Sequence, residues 1–449
     1  MPRHQLTDEL SNQIQHHFQT PVEDNEGATL GRPFFLAILL ITFVLLSGLV
    51  PWPAAASEPQ TLKEPAEPAP SPIIVAGSRI CYTRDRLNGR VNVHFMEGFH
   101  PDHVEVLKKQ KKLGTVFFMG GRTSITDKDV ALLRDVPMTG LALWDVPVTD
   151  AGIAALKGHA RIETIFLLKT QITDAGIDML ATFPKLARFS INFGDITDVG
   201  LTKIASLKQL RWVWFFRCQK ITDDGVVQLA RLKLLEHLLL NNNEKLTNRI
   251  VKPLLALKSL NRLELDGIPM NATTVAELRR FPMLETLGLS KTEIDDEATK
   301  HLSRMRTLKS LVVQENAISD TGVAHLARLT GLQSLDLSKN AITDRGIGAL
   351  TGLKSLEHLG LSNTKVTDVG IKEASKFLKL KRLTLENTAV TDKSVEVFSG
   401  MKQLEVLFLR GTSVSVSEIE GLCERNPSLQ VLPTPRSILE KRLRTGREP

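Results

Sequence analysis

The apolar positions of this chain recur with a fixed period from about residue 90 to about residue 430. Gly331 to Lys354, GLQSLDLSKNAITDRGIGALTGLK, shows one unit. Its first half reads LxxLxLxxN and alternates with period two, which predicts a short strand with one buried face; ITDxGIxxLxxL then shifts to helical spacing. Leu335, Leu337, Ile342, Ile347, Leu350 and Leu353 are the predicted buried set. A single unit cannot bury its own apolar side, whereas copies stacked side by side can, so a period of this length predicts a solenoid. The register can be followed through Thr126, Thr149, Thr173, Thr197, Thr222, Thr247, Asn271, Asp295, Ser319, Thr343, Thr367, Thr391 and Ser415, which lie 23 to 25 residues apart.

These units resemble the leucine-rich repeat family, in particular the short subclass reading LxxLxLxxC-x-ITDxGLxxLxxL. That subclass occurs in F-box substrate receptors and, with Thr in place of Cys, in bacterial envelope proteins. Here the variable place holds Thr170, Thr292, Thr364, Thr388 and Thr412, with Asn316, Asn340 and Cys218 as variants, so the Thr-rich bacterial form is the nearer likeness. The resemblance implies an α/β horseshoe solenoid of about 13–14 repeats, with a parallel sheet lining its concave side and helices on the convex side. It implies little about function.

Ahead of the repeats, residues 1–32 are polar and read as a disordered cytoplasmic tail. Residues 33–56 hold the run FFLAILLITFVLLSGLV, Phe34 to Val50, seventeen residues without a charge and long enough to cross a hydrocarbon core of about 30 Å. Trp52 stands where an interfacial aromatic would lie. Arg32 precedes the run and Glu58 is the first charge after it, which orients the N-terminus to the cytoplasm and the repeats outside, periplasmic or extracellular. A signal peptide cleaved near Ala56 and releasing a secreted chain is the alternative, because Ala54-Ala55-Ala56 has the small-residue pattern of a cleavage site. Residues 57–72 form a Pro-rich spacer.

Residues 73–113 are expected to form an N-terminal cap. Two alternating segments meet at Asn88-Gly89, a hairpin signal, and His100-Pro101-Asp102 opens a helix, a degenerate repeat whose outer face needs no neighbour. The array proper spans 114–433, ending in a strand at Leu429 to Pro433, and residues 434–449 are a basic tail.

A net charge of +7 over 449 residues is modest and shows no basic stripe interleaved with aromatics, so no nucleic acid is expected as a partner. Cys81, Cys218 and Cys423 form neither a disulfide framework nor a metal spacing. No HExxH, Walker loop, CxxC pair or ordered catalytic triad is present, and only about twenty residues follow the array to scaffold a reactive Cys423, so no catalysis and no cofactor are expected. His94, His100 and His103 in the cap raise a weak metal possibility. The recurring Asp (Asp127, Asp150, Asp174 and their equivalents) is expected to start helices, and the Gly that follows to allow close packing of the first turn.

What distinguishes one repeat from another is the concave face. Strand side chains alternate, so the places between and flanking the buried pair point there. In the front half these are Phe117 and Met119, Trp144, Phe166 and Leu168, Trp212, Trp214 and Phe216, and Leu239. From the repeat of Arg262, Glu264 and Asp266 onward the same places turn small or polar. Aromatic-rich exposed surface predicts a protein or peptide ligand. The alternative is that the rings are covered by the cap or each other, or that a one-residue slip near Cys218 puts Val213 and Phe215 outward instead. The leading expectation is a membrane-anchored recognition scaffold. An F-box-type adaptor for ubiquitin ligation is the alternative, although an apolar segment stands where its F-box would be. Oligomeric state is left open.

Overall fold

The computed structural model describes residues 79–84, 88–120 and 125–434. The tail, apolar segment and spacer expected over residues 1–72, and the tail after residue 434, lie outside the described residues. Among the described residues no helix is long and apolar enough to cross a membrane.

Among the described residues sixteen strands form one sheet in strict chain order. Strands β1 (Arg79–Arg84) and β2 (Val91–Glu97) pair antiparallel. The connection between them contains Asn88 and Gly89, the latter at φ 66°, and the last pair of the ladder is Arg84 with Val91. From β2 onward every neighbour is parallel: β3 (Leu113–Met119), β4 (Gly140–Trp144), β5 (Thr164–Leu168), β6 (Arg188–Asn192), β7 (Trp212–Phe216), β8 (His237–Leu239), β9 (Arg262–Glu264) and β10 (Thr286–Gly288). The series continues through β11 (Ser310–Val312), β12 (Ser334–Asp336), β13 (His358–Gly360), β14 (Arg382–Thr384), β15 (Val406–Phe408) and β16 (Gln430–Leu432). Helix α1 (Pro101–Lys108) starts with Pro at its first turn and joins β2 to β3. The antiparallel β1 then covers the open backbone edge of β2.

From β8 to β15 one inward strand leucine per repeat stands in the core. Leu263, Leu287, Leu311, Leu335, Leu359, Leu383 and Leu407 stand in register and none is more than 1% exposed. Each such burial contributes about 1.5–3 kcal/mol before chain entropy is subtracted.

The Thr-Asp pair does more than start helices. Thr367 Oγ1 accepts the Val369 backbone N–H, the expected cap, at 3.2 Å. That hydroxyl also donates to Asp344 of the preceding repeat at 2.7 Å, and the Thr367 N–H donates to the same carboxylate at 2.8 Å. Asp344 therefore clamps its own repeat to the next. At Gly370, two residues after the Asp of the next repeat, a Cβ would stand 2.5 Å from Asp344 Oδ1; in the repeat clamped by Asp368 the same place holds Ser394, whose hydroxyl donates to that carboxylate. Asp127 with Thr149, Asp174 with Thr197 and Asp320 with Thr343 repeat the arrangement.

Candidate functional site

The pentapeptide WVWFF of β7 admits two alternations, and the structure selects one. Val213 and Phe215 are wholly buried, paired in register with Phe189 and Ile191 of β6. Trp212, Trp214 and Phe216 take the helix-free face and stay partly exposed. No slip accompanies Cys218, which lies after the strand and is buried; its thiol donates to the Ile191 carbonyl at 3.2 Å, and burial pushes its pKa up to about 12.

Parallel register assembles the sequence-predicted residues into rows. Met119, Trp144, Leu168, Asn192 and Phe216 form one; Phe117, Ala142, Phe166, Ser190, Trp214 and Leu239 form the next. Phe117, Met119, Trp144, Phe166 and Leu168 are partly exposed like the β7 rings. Leu239 is different: in register between Trp214 and Glu264, it is 3% exposed and supports the surface rather than offering contact area.

Ser190, small and buried, leaves space across β6 for Trp212 to reach Phe166, with ring centroids 5.5 Å apart and edge to face. Trp212 meets Trp214 at 6.1 Å, Trp214 meets Phe216 at 6.3 Å, and Phe216 meets Phe193 at 5.3 Å. A continuous line of five rings thus runs over β5 to β7. Phe117 stands apart from it, stacked on His94 at 4.2 Å. Within the ring-bearing rows, Trp214 Nε1 and Asn192 Oδ1 are sheltered from solvent and make no hydrogen bond to the protein.

Phe193 escaped the alternation rule because it lies one residue past its strand, where the backbone turns to φ 52°. Lys169 (φ 50°) and Arg217 (φ 51°) hold the equivalent places in the repeats on either side. The Arg217 guanidinium lies 5.6 Å from the Phe193 ring centre and 5.5 Å from that of Phe216, and Lys169 Nζ lies 5.7 Å from Phe193. Reading the column 24 residues apart would have found this trio; reading strand periodicity does not.

In the back half the same face is polar, beginning with a buried group on β8 to β10. Arg262 Nε donates to Glu264 Oε1 at 2.8 Å, and Asn241 Nδ2 donates to Glu264 Oε2 at 3.2 Å and to Asp266 Oδ2 at 2.7 Å. Asp266 also accepts the Ser290 backbone N–H at 2.7 Å. Burial, then the neighbouring Glu264 charge, pushes Asp266 up to about 7, while burial raises Glu264 against the pull of Arg262. Burial and the Arg262 charge press His237 down to about 4.

The cap histidines have structural partners. His94 Nε2 meets Thr83 Oγ1 at 3.0 Å, and His103 Nδ1 accepts the His100 N–H at 2.9 Å to cap α1. Among the described residues no group of three or more His, Cys, Asp or Glu side chains is disposed to hold a metal ion.

The leucine rich repeat family matches residues 306–366 of the sequence, and those residues carry leucine-rich repeats. Among solved structures, the chain is similar to an internalin of Listeria monocytogenes at 23% identity, covering 68% of this chain and 88% of that one with a TM-score of 0.45. It is also similar to a leucine-rich repeat protein of Leptospira interrogans at 20% identity, covering 72% and 90% with a TM-score of 0.40. A second Listeria protein, internalin C2, is 25% identical over 49% of this chain and 84% of its own, with a TM-score of 0.36. No curated protein matches the sequence.

Proposed function

We propose that this leucine-rich repeat chain is a non-catalytic recognition scaffold that takes a protein or peptide ligand on the front half of its helix-free face. The carrying observation is the line of Phe166, Trp212, Trp214, Phe216 and Phe193, which remains partly exposed although the alternating positions beneath it are fully buried. Large rings concentrate binding energy because they desolvate much apolar area at low entropic cost. In this reading residues 33–56 hold the chain in a membrane, and the Pro-rich spacer carries the array on the extracytoplasmic side.

The test is ligand capture by the full chain against Trp212→Ala/Trp214→Ala. Loss of about 100-fold in affinity with an unchanged circular dichroism spectrum supports the assignment, as centrally placed hot-spot rings contribute on that order. Undiminished capture removes these rings from the site.

A further inference from the structure

Resting on the proposed recognition role, we infer that the ligand segment is an acidic peptide whose carboxylate seats between Lys169 and Arg217, over Phe193, while its apolar side chains lie on Trp212 and Trp214. The argument comes from an internal comparison. At one place in each repeat, one position past β4 to β7 and three positions past the shorter strands β8 to β15, the backbone adopts a left-handed conformation, and these places line one edge of the helix-free face. In the back half three consecutive members of this row are Lys291, Glu315 and Lys339. Glu315 pairs with Lys291 at 3.3 Å and with Lys339 at 2.9 Å, and those lysines lower its pKa against the opposing effect of burial. At this one place in the row a carboxylate sits between two cations one repeat away on either side.

In the front half the corresponding three residues are Lys169, Phe193 and Arg217. The flanking cations are kept and the central anion is replaced by a ring that is 37% exposed. Among the described residues neither Lys169 nor Arg217 makes an ion pair, and Asp145, exposed in the same row one repeat earlier, is not paired with Lys169. Both cations instead lie against Phe193, which fixes their charge beside the rings. A cation held on an aromatic surface keeps its hydrogen-bond donors for an incoming carboxylate, and a guanidinium accepts one in bidentate fashion. Near the rings on this face, Arg188 donates to Thr164 Oγ1 at 2.9 Å and adds positive field toward Glu163, which Arg90 already engages. The field over the rings is thus positive, which disfavours basic ligands and speeds encounter with acidic ones.

The probe is a displayed library of random peptides of about twelve residues, long enough to span four strands about 4.8 Å apart, selected on the full chain. Enriched peptides carrying Asp or Glu beside Trp, Phe or Leu are expected. A selected peptide should lose at least about tenfold in affinity on Phe193→Glu, which restores the internal anion, with a weaker effect from Phe193→Ala. Lys169→Glu/Arg217→Glu should shift selection toward basic peptides. Enrichment without acidic residues, lost on Trp212→Ala/Trp214→Ala, overturns this inference and leaves the recognition face standing. Peptides indifferent to the tryptophans but lost on Phe193→Glu support the carboxylate seat and overturn the ring surface. Peptides indifferent to every variant overturn both.

Discussion

Asp344 shows how one side chain can serve two repeats. Its carboxylate accepts the backbone N–H and the hydroxyl of Thr367 and the backbone N–H of Gly370, so its removal orphans donors at the start of the next helix. Asp344→Ala is expected to lower stability by about 1–3 kcal/mol, read from the urea midpoint. Gly370→Ala should cost a similar amount in the parent chain, because its Cβ meets Asp344 Oδ1, and about 1 kcal/mol less in the Asp344→Ala background, where that oxygen is gone. Strict additivity would show that the two residues do not share this contact. The helix-start role of the Thr-Asp pair was legible in the sequence, since capping is a local pattern. The clamp was not, because its two halves lie 23 residues apart and only stacking brings them together.

Among the strands, β7 and β9 mark the two characters of the helix-free face. For β7 the sequence left Trp and Val/Phe equally suited to the core; the tie is broken by neighbouring strands, whose register aligns Val213 and Phe215 with the buried Phe189 and Ile191. For β9, polarity was legible but burial was not. Arg262, Glu264 and Asp266 are no more than 9% exposed, a closure contributed by Asn241 on one side and Ser290 on the other. Asp266, raised from 3.8 to about 7, keeps its proton in the folded chain where the unfolded chain has lost it. Its contribution is therefore complete below the unfolded value and is lost as pH rises through the window up to about 7. His237 and His94, both lowered from 6.5 to about 4, act in the opposite sense: their contribution is present above 6.5 and lost as pH falls toward 4. Facing Asp266 are Glu264 and Asn241, with Arg262 held on Glu264. Asp266→Asn should flatten the decline in stability between about pH 4 and about pH 7 relative to the parent, by urea unfolding at each pH. An unchanged pH profile would remove Asp266 as its source.

In the described array, stability is the sum of units and of the seams between them. The Asp clamp fails at two successive seams, where Asn248 and Ala272 stand in place of Asp at the first helical position. Those seams separate the units of β8, β9 and β10, and the Asn241, Glu264, Asp266 and Ser290 network ties the same three units on the opposite face of the sheet. One device replaces the other where the face changes from aromatic to polar. The repeat architecture was legible because one pattern recurs across many units, whereas the edge row of Lys169, Phe193 and Arg217 lies outside the strand alternation and shows in the sequence only when the column 24 residues apart is read. In the proposed function the ring line faces solvent until a ligand covers it. Hydroxyl-radical footprinting of the full chain tests it most directly. Trp212 and Trp214 should oxidise readily in the free protein while Phe189 and Phe215 do not, and a bound peptide should suppress that oxidation. Tryptophans already protected in the free chain, or equally reactive with peptide bound, would contradict it.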